Sequence, residues 1–241
     1  MLDVTFLGIN GSVQQQGGGN TSLLVQTENS CVLVDTSCNL CVAVEAEPDV
    51  VVITHQHIDH VYGLVSFLHQ SWISKRQKPL IIMCPEGING LIDSLIGIFS
   101  IKQKKGMFDI KISNYQSTVI NGLEINTFKT KHTDSSIGLV FVKDSKKLVY
   151  TCDTPPVVNP PAILFDADLL IHETNSTKDT VKPDHSCGFD AGKLACETKA
   201  KSLMLCHLPK NDVTKEKILN EAKSLYEFVV IPEILKKYTV G

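Results

Sequence analysis

Val50-Val51-Val52-Ile53-Thr54-His55-Gln56-His57-Ile58-Asp59-His60 is the stretch from which the fold can be read. Its first four residues form a β-branched apolar run, which predicts a short buried strand. Beyond the motif, Val61, Leu64, Val65 and Leu68 recur at helical spacing in a segment without proline. The histidines therefore lie between the carboxyl end of a strand and a helix, where α/β sheets place ligands. Three imidazoles and a carboxylate can converge from one tight loop, and that ligand set suits a borderline divalent metal such as Zn²⁺. A lone His-x-His is common on protein surfaces; Asp59 and His60 directly behind a buried strand make this one a metal signature.

The 241 residues are 43% hydrophobic and 20% charged, ample for a packed core in one large domain or two. A formal net charge of −3 argues against a nucleic-acid footprint over the whole surface. The densest basic cluster, Lys102, Lys104 and Lys105, reads as a solvated helix end. Residues 1–7 enter a strand at once, without a basic and apolar leader, and no run of 18 apolar residues occurs. The expectation is a cytoplasmic protein with no membrane partner. Eight cysteines in a chain of this length read as free buried thiols, and Cys38-Asn39-Leu40-Cys41 has no second pair at zinc-site spacing.

In order, residues 2–7, 21–26 and 31–34 read as strands, with residues 14–19 a polar, glycine-rich loop. That loop is either a flap over a site or a surface hairpin. Asp35 ends the third strand, placed to brace the histidine loop, to cap a following helix, or to do both. Further strands are expected at 80–84, 110–112, 118–120, 122–128, 137–142, 147–150, 169–171 and 202–206, and helices at 90–99, 189–198 and 213–225. Asn121-Gly122 marks a hairpin turn. Of the eight histidines, only His69 falls inside a helix; His55, His57, His60, His132, His172, His185 and His207 fall at strand ends or in the loops after them. Two stacked sheets with helices outside, an αββα sandwich, would bring those ends to one edge.

The pattern resembles the metallo-β-lactamase superfamily over nearly the whole chain. Its histidine motif matches His55-Gln56-His57-Ile58-Asp59-His60 at every defined position, and its later ligands match His132, Asp153 in Tyr150-Thr151-Cys152-Asp153-Thr154, and His207 in Leu205-Cys206-His207. Within the superfamily the chain is most similar to the ribonuclease Z branch and its small phosphodiesterase relatives. His172-Glu173-Thr174-Asn175 is similar to that branch's His-Glu-Ala-Thr, and His185-Ser186 to its His-Ser-Thr. The resemblance implies an α/β, four-layer αββα sandwich, with residues 1–241 forming a single metallo-hydrolase domain. It also implies two divalent metal ions, zinc first, with manganese or iron as alternatives. His55, His57 and His132 would hold one; Asp59, His60 and His207 the other; Asp153 would bridge them. Two ions about 3.5–4 Å apart can share a hydroxide at neutral pH, and Asp59 would orient the attacking water or take its proton. His185, left over by that ligand set, would act on the substrate, with Glu173 orienting its ring and raising its pKa. Two departures, Cys152 for the usual glycine and Cys206 for the usual threonine, leave metal identity open.

In bacterial ribonuclease Z a long arm that grips tRNA is inserted between the residues matched here by His132 and Asp153. Here that interval is 21 residues (153 − 132), enough for two strands and a turn. The expected function is a two-metal phosphodiesterase acting on a small phosphodiester, such as a cyclic nucleotide, or on a nucleic-acid end. The alternatives are a tRNA 3′-end endonuclease of the ribonuclease Z type, a lactonase, and a non-hydrolytic metal-binding redox or sensor protein. A homodimer is left open.

Overall fold

The computed structural model describes residues 1–241. The first half of the chain runs β1 (Asp3–Gly8), β2 (Ser22–Gln26), β3 (Cys31–Val34), α1 (Leu40–Glu45), β4 (Val50–Val52), α2 (Ile58–Val61), α3 (Leu64–Ile73), β5 (Leu80–Cys84), α4 (Asn89–Ile98) and β6 (Ile110–Asn114). The second half runs β7 (Thr118–Ile120), β8 (Leu123–Lys129), β9 (Ile137–Lys143), β10 (Lys146–Tyr150), β11 (Leu169–Glu173), α5 (Gly188–Glu197), β12 (Leu203–Cys206), α6 (Asp212–Lys223), β13 (Val229–Val230) and β14 (Lys237–Thr239). Two seven-stranded sheets result, in the orders β14-β1-β2-β3-β4-β5-β6 and β13-β12-β11-β10-β9-β8-β7.

Alternation along the strands assigns the layers. Val4, Phe6, Leu23, Val25, Val32, Val34, Val50 and Val52 belong to the core shared with the second sheet. Their neighbours Leu24, Leu33, Val51 and Ile53 pack instead with Leu64, Phe67 and Leu68 of α3. Successive strand side chains point to opposite faces, so strands buried on both faces must be apolar throughout. The run at residues 50–53 is such a strand, and the expected αββα sandwich is the architecture found.

Asn121-Gly122 turns between β7 and β8 with φ of 48° and 83°, the left-handed pair that a tight hairpin needs. α6 starts at Asn211, whose side chain accepts from the Val213 and Thr214 N–H groups. Asn39, not Asp35, is the N-cap residue of α1, which excludes the capping role for Asp35. β14 pairs with β1 near the end of the chain, and its short Lys-Tyr-Thr sequence carries no apolar pattern that announces it. The parallel strands β3, β4, β10, β11 and β12 carry the loops that build the site at their carboxyl ends.

Candidate metal centre

The loop after β4 gives His55, His57, Asp59 and His60; β8–β9 gives His132, β10 gives Asp153, and β12 gives His207. These distant segments meet at one point. Asp153 Oδ2 lies 3.9 Å from His55 Nε2, 3.5 Å from His60 Nε2, 3.6 Å from His132 Nε2 and 3.1 Å from His207 Nε2. His207 Nε2 is 3.5 Å and His60 Nε2 3.7 Å from Asp59 Oδ2, while His57 Nδ1 is 2.9 Å from His132 Nε2. Ligand atoms bound at about 2.0–2.1 Å around one tetrahedral ion sit roughly 3.3 Å apart, so these spacings fit a shared cation.

Three tests of that fit use the protein alone. First, His55 Nε2, His60 Nε2, His207 Nε2 and Asp153 Oδ1 are buried without any hydrogen-bond partner. Such atoms are costly unless something else satisfies them. Second, the outward ring nitrogen of three of the histidines is engaged: His60 Nδ1 with Asp35 Oδ2 at 2.7 Å, His132 Nδ1 with the Asp184 carbonyl at 3.0 Å, and His55 Nδ1 with Thr54 Oγ1 at 3.1 Å. Partners of this kind fix the tautomer and leave the inward nitrogen free for a metal. Third, the ionisation state is that of a ligand set. Burial, followed by repulsion from His60, holds His55 neutral, down to about 2. Burial raises Asp153, but His207 and His60 reverse this and carry it well below the carboxylate range. Asp59 behaves likewise, pulled down by His207 and His60 against its burial. His60 differs: burial lowers it, and Asp153 and Asp35 carry it well above the usual histidine value. It must release the Nε2 proton to a binding cation, with Asp35 retaining the one on Nδ1. Groups that can hold a cation include His55 with His57 and His132, and Asp59 with His60 and His207.

Backbone strain collects at the same place. Asp35, Cys152 and His207 follow β3, β10 and β12 with φ of 56°, 55° and 53°, a region that L-residues enter at a cost of about 1–2 kcal/mol each. The Cys152 position is thus one that glycine would occupy freely. Its thiol lies 3.7 Å from His55 Nδ1 and is pushed well up by burial.

His185 stacks on His207 at 5.1 Å between ring centroids, and Glu173 Oε1 holds its Nδ1 at 2.7 Å. The pKa of His185 does not take the expected upward direction. Burial lowers His185, and Glu173 is itself raised, by burial first and then by Asp153. Glu173 also accepts N–H bonds from Thr154, Asn175 and Ser186, so it fixes three loop segments as well as the ring.

His172 is not in the cluster. β11 continues through Glu173, so His172 alternates to the opposite face, with Nδ1 2.6 Å from Thr151 Oγ1. Sequence reasoning overlooked Ser12, which donates to Asp59 Oδ2 at 3.1 Å, and Asn175, which contacts His207. Neither carries a residue-type signal; only the fold brings them in. The 14–19 loop continues from Ser12 as a strap, with Gln14 on Tyr62 and Gln15 on Asp212.

The family model described as "Anti-Pycsar protein Apyc1" matches residues 2–230. The chain belongs to the Apyc1 family. Ribonuclease Z of Halobacterium salinarum is 26% identical over 86% of this chain and 87% of its own length, and ribonuclease Z of Sulfurisphaera tokodaii 26% over 78% and 79%. Among solved structures, the metallo-β-lactamase fold protein YhfI from Bacillus subtilis superposes with a TM-score of 0.83 at 23% identity, covering 98% of each chain. Human short-form tRNase Z gives 0.79 at 20% identity, covering 99% of each. This Apyc1-family chain therefore has the metallo-β-lactamase fold, in the ribonuclease Z-like branch of that superfamily, and is a metal-dependent hydrolase. No helix is long and apolar enough to cross a membrane.

Proposed function

We propose that the protein is a two-metal phosphodiesterase acting on a small phosphodiester, and that residues 1–241 work as one catalytic domain. The observation that carries this reading is Asp153 Oδ2 within 4 Å of four imidazoles drawn from both proposed ligand sets. His55, His57 and His132 would hold one ion and Asp59, His60 and His207 the other, with Asp153 shared. Zinc suits the imidazole-rich set best. Divalent ions held there would supply Lewis acidity toward a phosphoryl oxygen and a lowered pKa for bound water.

The chain's own residues do the rest. Asp59, held ionised and oriented by Ser12, is placed to accept a proton from the attacking water. His185 leans over the His207 ring with Glu173 fixing its orientation, and contacts the substrate instead of a metal. A polar cavity of about 450 Å³ opens beside His185, between Gly11, Asn175, Lys182 and Asn211. That volume suits a small ligand of about mononucleotide size. β9, a short turn and β10 fill the interval from His132 to Asp153, leaving no arm to clamp a tRNA. The relatives named ribonuclease Z keep a tRNA 3′-end nuclease as the second reading.

Zinc-loaded protein screened against 3′,5′-cyclic nucleotides, aryl phosphodiesters, lactones, thioesters and a tRNA precursor tests the proposal. Turnover of the small phosphodiesters above all others is the expected result; preference for a lactone or the tRNA precursor overturns it.

A further inference from the structure

The segments that carry His185 and His207 also carry two lysines for which the metal centre has no use. Lys182 stands three residues before His185 (185 − 182), on a turn closed by the His185 N–H donating to the Lys182 carbonyl at 3.4 Å. Lys210 stands three residues after His207 (210 − 207). Its segment is pinned where the Leu208 N–H donates to the Ile9 carbonyl at 2.8 Å and the Gly11 N–H to the Leu208 carbonyl at 2.9 Å. These backbone bonds fix where each lysine leaves the chain, and both lysines line the cleft of about 450 Å³ that opens beside His185.

The chemistry of that cleft is one-sided. Lys182, Lys210 and Thr214 face it, and no Asp, Glu, Phe, Tyr or Trp lines it. The acidic residues on the same segments are placed elsewhere: Asp179 pairs with Lys217, Asp212 with Lys215, and Asp184 is exposed outside the lining. Lys182 Nζ donates to the Asn175 amide oxygen and to no carboxylate, and Lys210 stands in no ion pair. In a chain of formal net charge −3, two uncompensated cations in one cleft concentrate positive potential there. A nucleobase entering it would meet no aromatic face beyond the His185 ring. A phosphate would meet two ammonium groups, whose hydrogen bonds to an anion are about twice as strong as neutral ones.

We propose that Lys182 and Lys210 form a second anion subsite, and that the preferred substrate carries one further phosphate beside the phosphodiester presented to the metal centre. The cleft begins at His185, whose ring lies 5.1 Å from that of His207 and 4.9 Å from that of His132, so an anion in it sits next to the reacting group and not on it. The substrate class is a nucleotide diester that also ends in a phosphate monoester; a cyclic mononucleotide leaves the subsite empty. Lysines that hold a phosphate remote from the reacting bond act on KM more than on kcat. The role of the subsite in turnover rests on the phosphodiesterase reading; its affinity for phosphate does not.

Two chromogenic esters that differ by one phosphate test the proposal: thymidine 5′-(4-nitrophenyl phosphate) with a free 3′-hydroxyl, and the same ester with a 3′-phosphate. For the zinc-loaded wild type the 3′-phosphate should lower KM about tenfold, as one charge-assisted hydrogen bond would, with kcat little changed. In the double variant Lys182→Met with Lys210→Met the two KM values should come within about twofold of each other, and Lys182→Arg with Lys210→Arg should restore the preference. Taking the ratio within each variant cancels any effect of Lys182 on its Asn175 partner or on zinc content. Calorimetric binding of thymidine 3′,5′-bisphosphate against thymidine 5′-monophosphate makes the same comparison without turnover. A wild-type preference below about twofold, or one that survives in the double methionine variant, overturns the subsite. A binding preference that disappears in that variant, with neither ester hydrolysed, upholds the subsite and sinks the phosphodiesterase reading instead.

Discussion

Replacing Asp35 by asparagine tests how the buried shell governs metal binding. Asp35 is fully buried, with Oδ1 accepting the Thr54 N–H at 2.8 Å and Oδ2 meeting His60 Nδ1 at 2.7 Å. The Thr54 hydroxyl bonds both oxygens, at 3.1 and 2.9 Å, and can rotate to accept from a new NH₂. The Thr54 N–H and the His60 Nδ1–H cannot. Asparagine keeps one oxygen, so one of these two donors must face another donor. Leaving a buried donor unpaired costs about 1–3 kcal/mol. If His60 suffers, its proton moves to Nε2, the atom needed for a cation. The expected fall in zinc affinity is about 10–100-fold, or roughly 1.4–2.7 kcal/mol. Chelator competition reads the affinity, and circular dichroism verifies that the variant is folded. Affinity within about twofold of wild type would refute the bracing argument, since outer partners normally cost tenfold or more. Complete loss from a folded protein would make Asp35 a ligand.

His185→Ala should keep its full metal content while kcat on an aryl phosphodiester falls about 10²–10⁴-fold; loss of metal makes it a ligand, and normal turnover a bystander. His172 is buried, and burial lowers its pKa to about 4. Its folded value lies below the unfolded one near 6.5, so the stability it contributes is complete above pH 6.5 and lost as pH falls toward 4. Denaturation of the apo protein should therefore show wild type losing about 3 kcal/mol more than His172→Gln over that interval, and parallel pH curves would refute it. Thiol labelling of the native protein at pH 8 should modify Cys41 and Cys196, the two exposed cysteines, ahead of the rest. Burial pushes Cys31 to about 12 and Cys38, Cys84 and Cys187 to about 11, so fast reaction at any of these would contradict their placement.

The sandwich was legible in the sequence because its central strands are buried on both faces and must be apolar along their length, as residues 50–53 show. The site was legible through residue types that have few other reasons to stand together at strand ends. Position decided the rest. His172 looked like its neighbours in type, but two more residues of β11 turned it to the other face. β14 owes its strand to pairing with β1, and nothing in three residues can show that. The pKa of His185 could not be read from its carboxylate partner, because burial acts on both and is invisible in sequence. Asn175 and Ser12 are ordinary polar residues until the fold sets them against His207 and Asp59.

The central claim is that Asp153 serves two cations at once, and metal stoichiometry tests it most directly. Wild-type protein loaded with zinc and dialysed should retain two equivalents per chain. Asp153→Ala, folded by circular dichroism, should lose most of the second, because no other carboxylate approaches both histidine sets as Asp153 Oδ2 does. Two equivalents retained by Asp153→Ala would contradict the bridge.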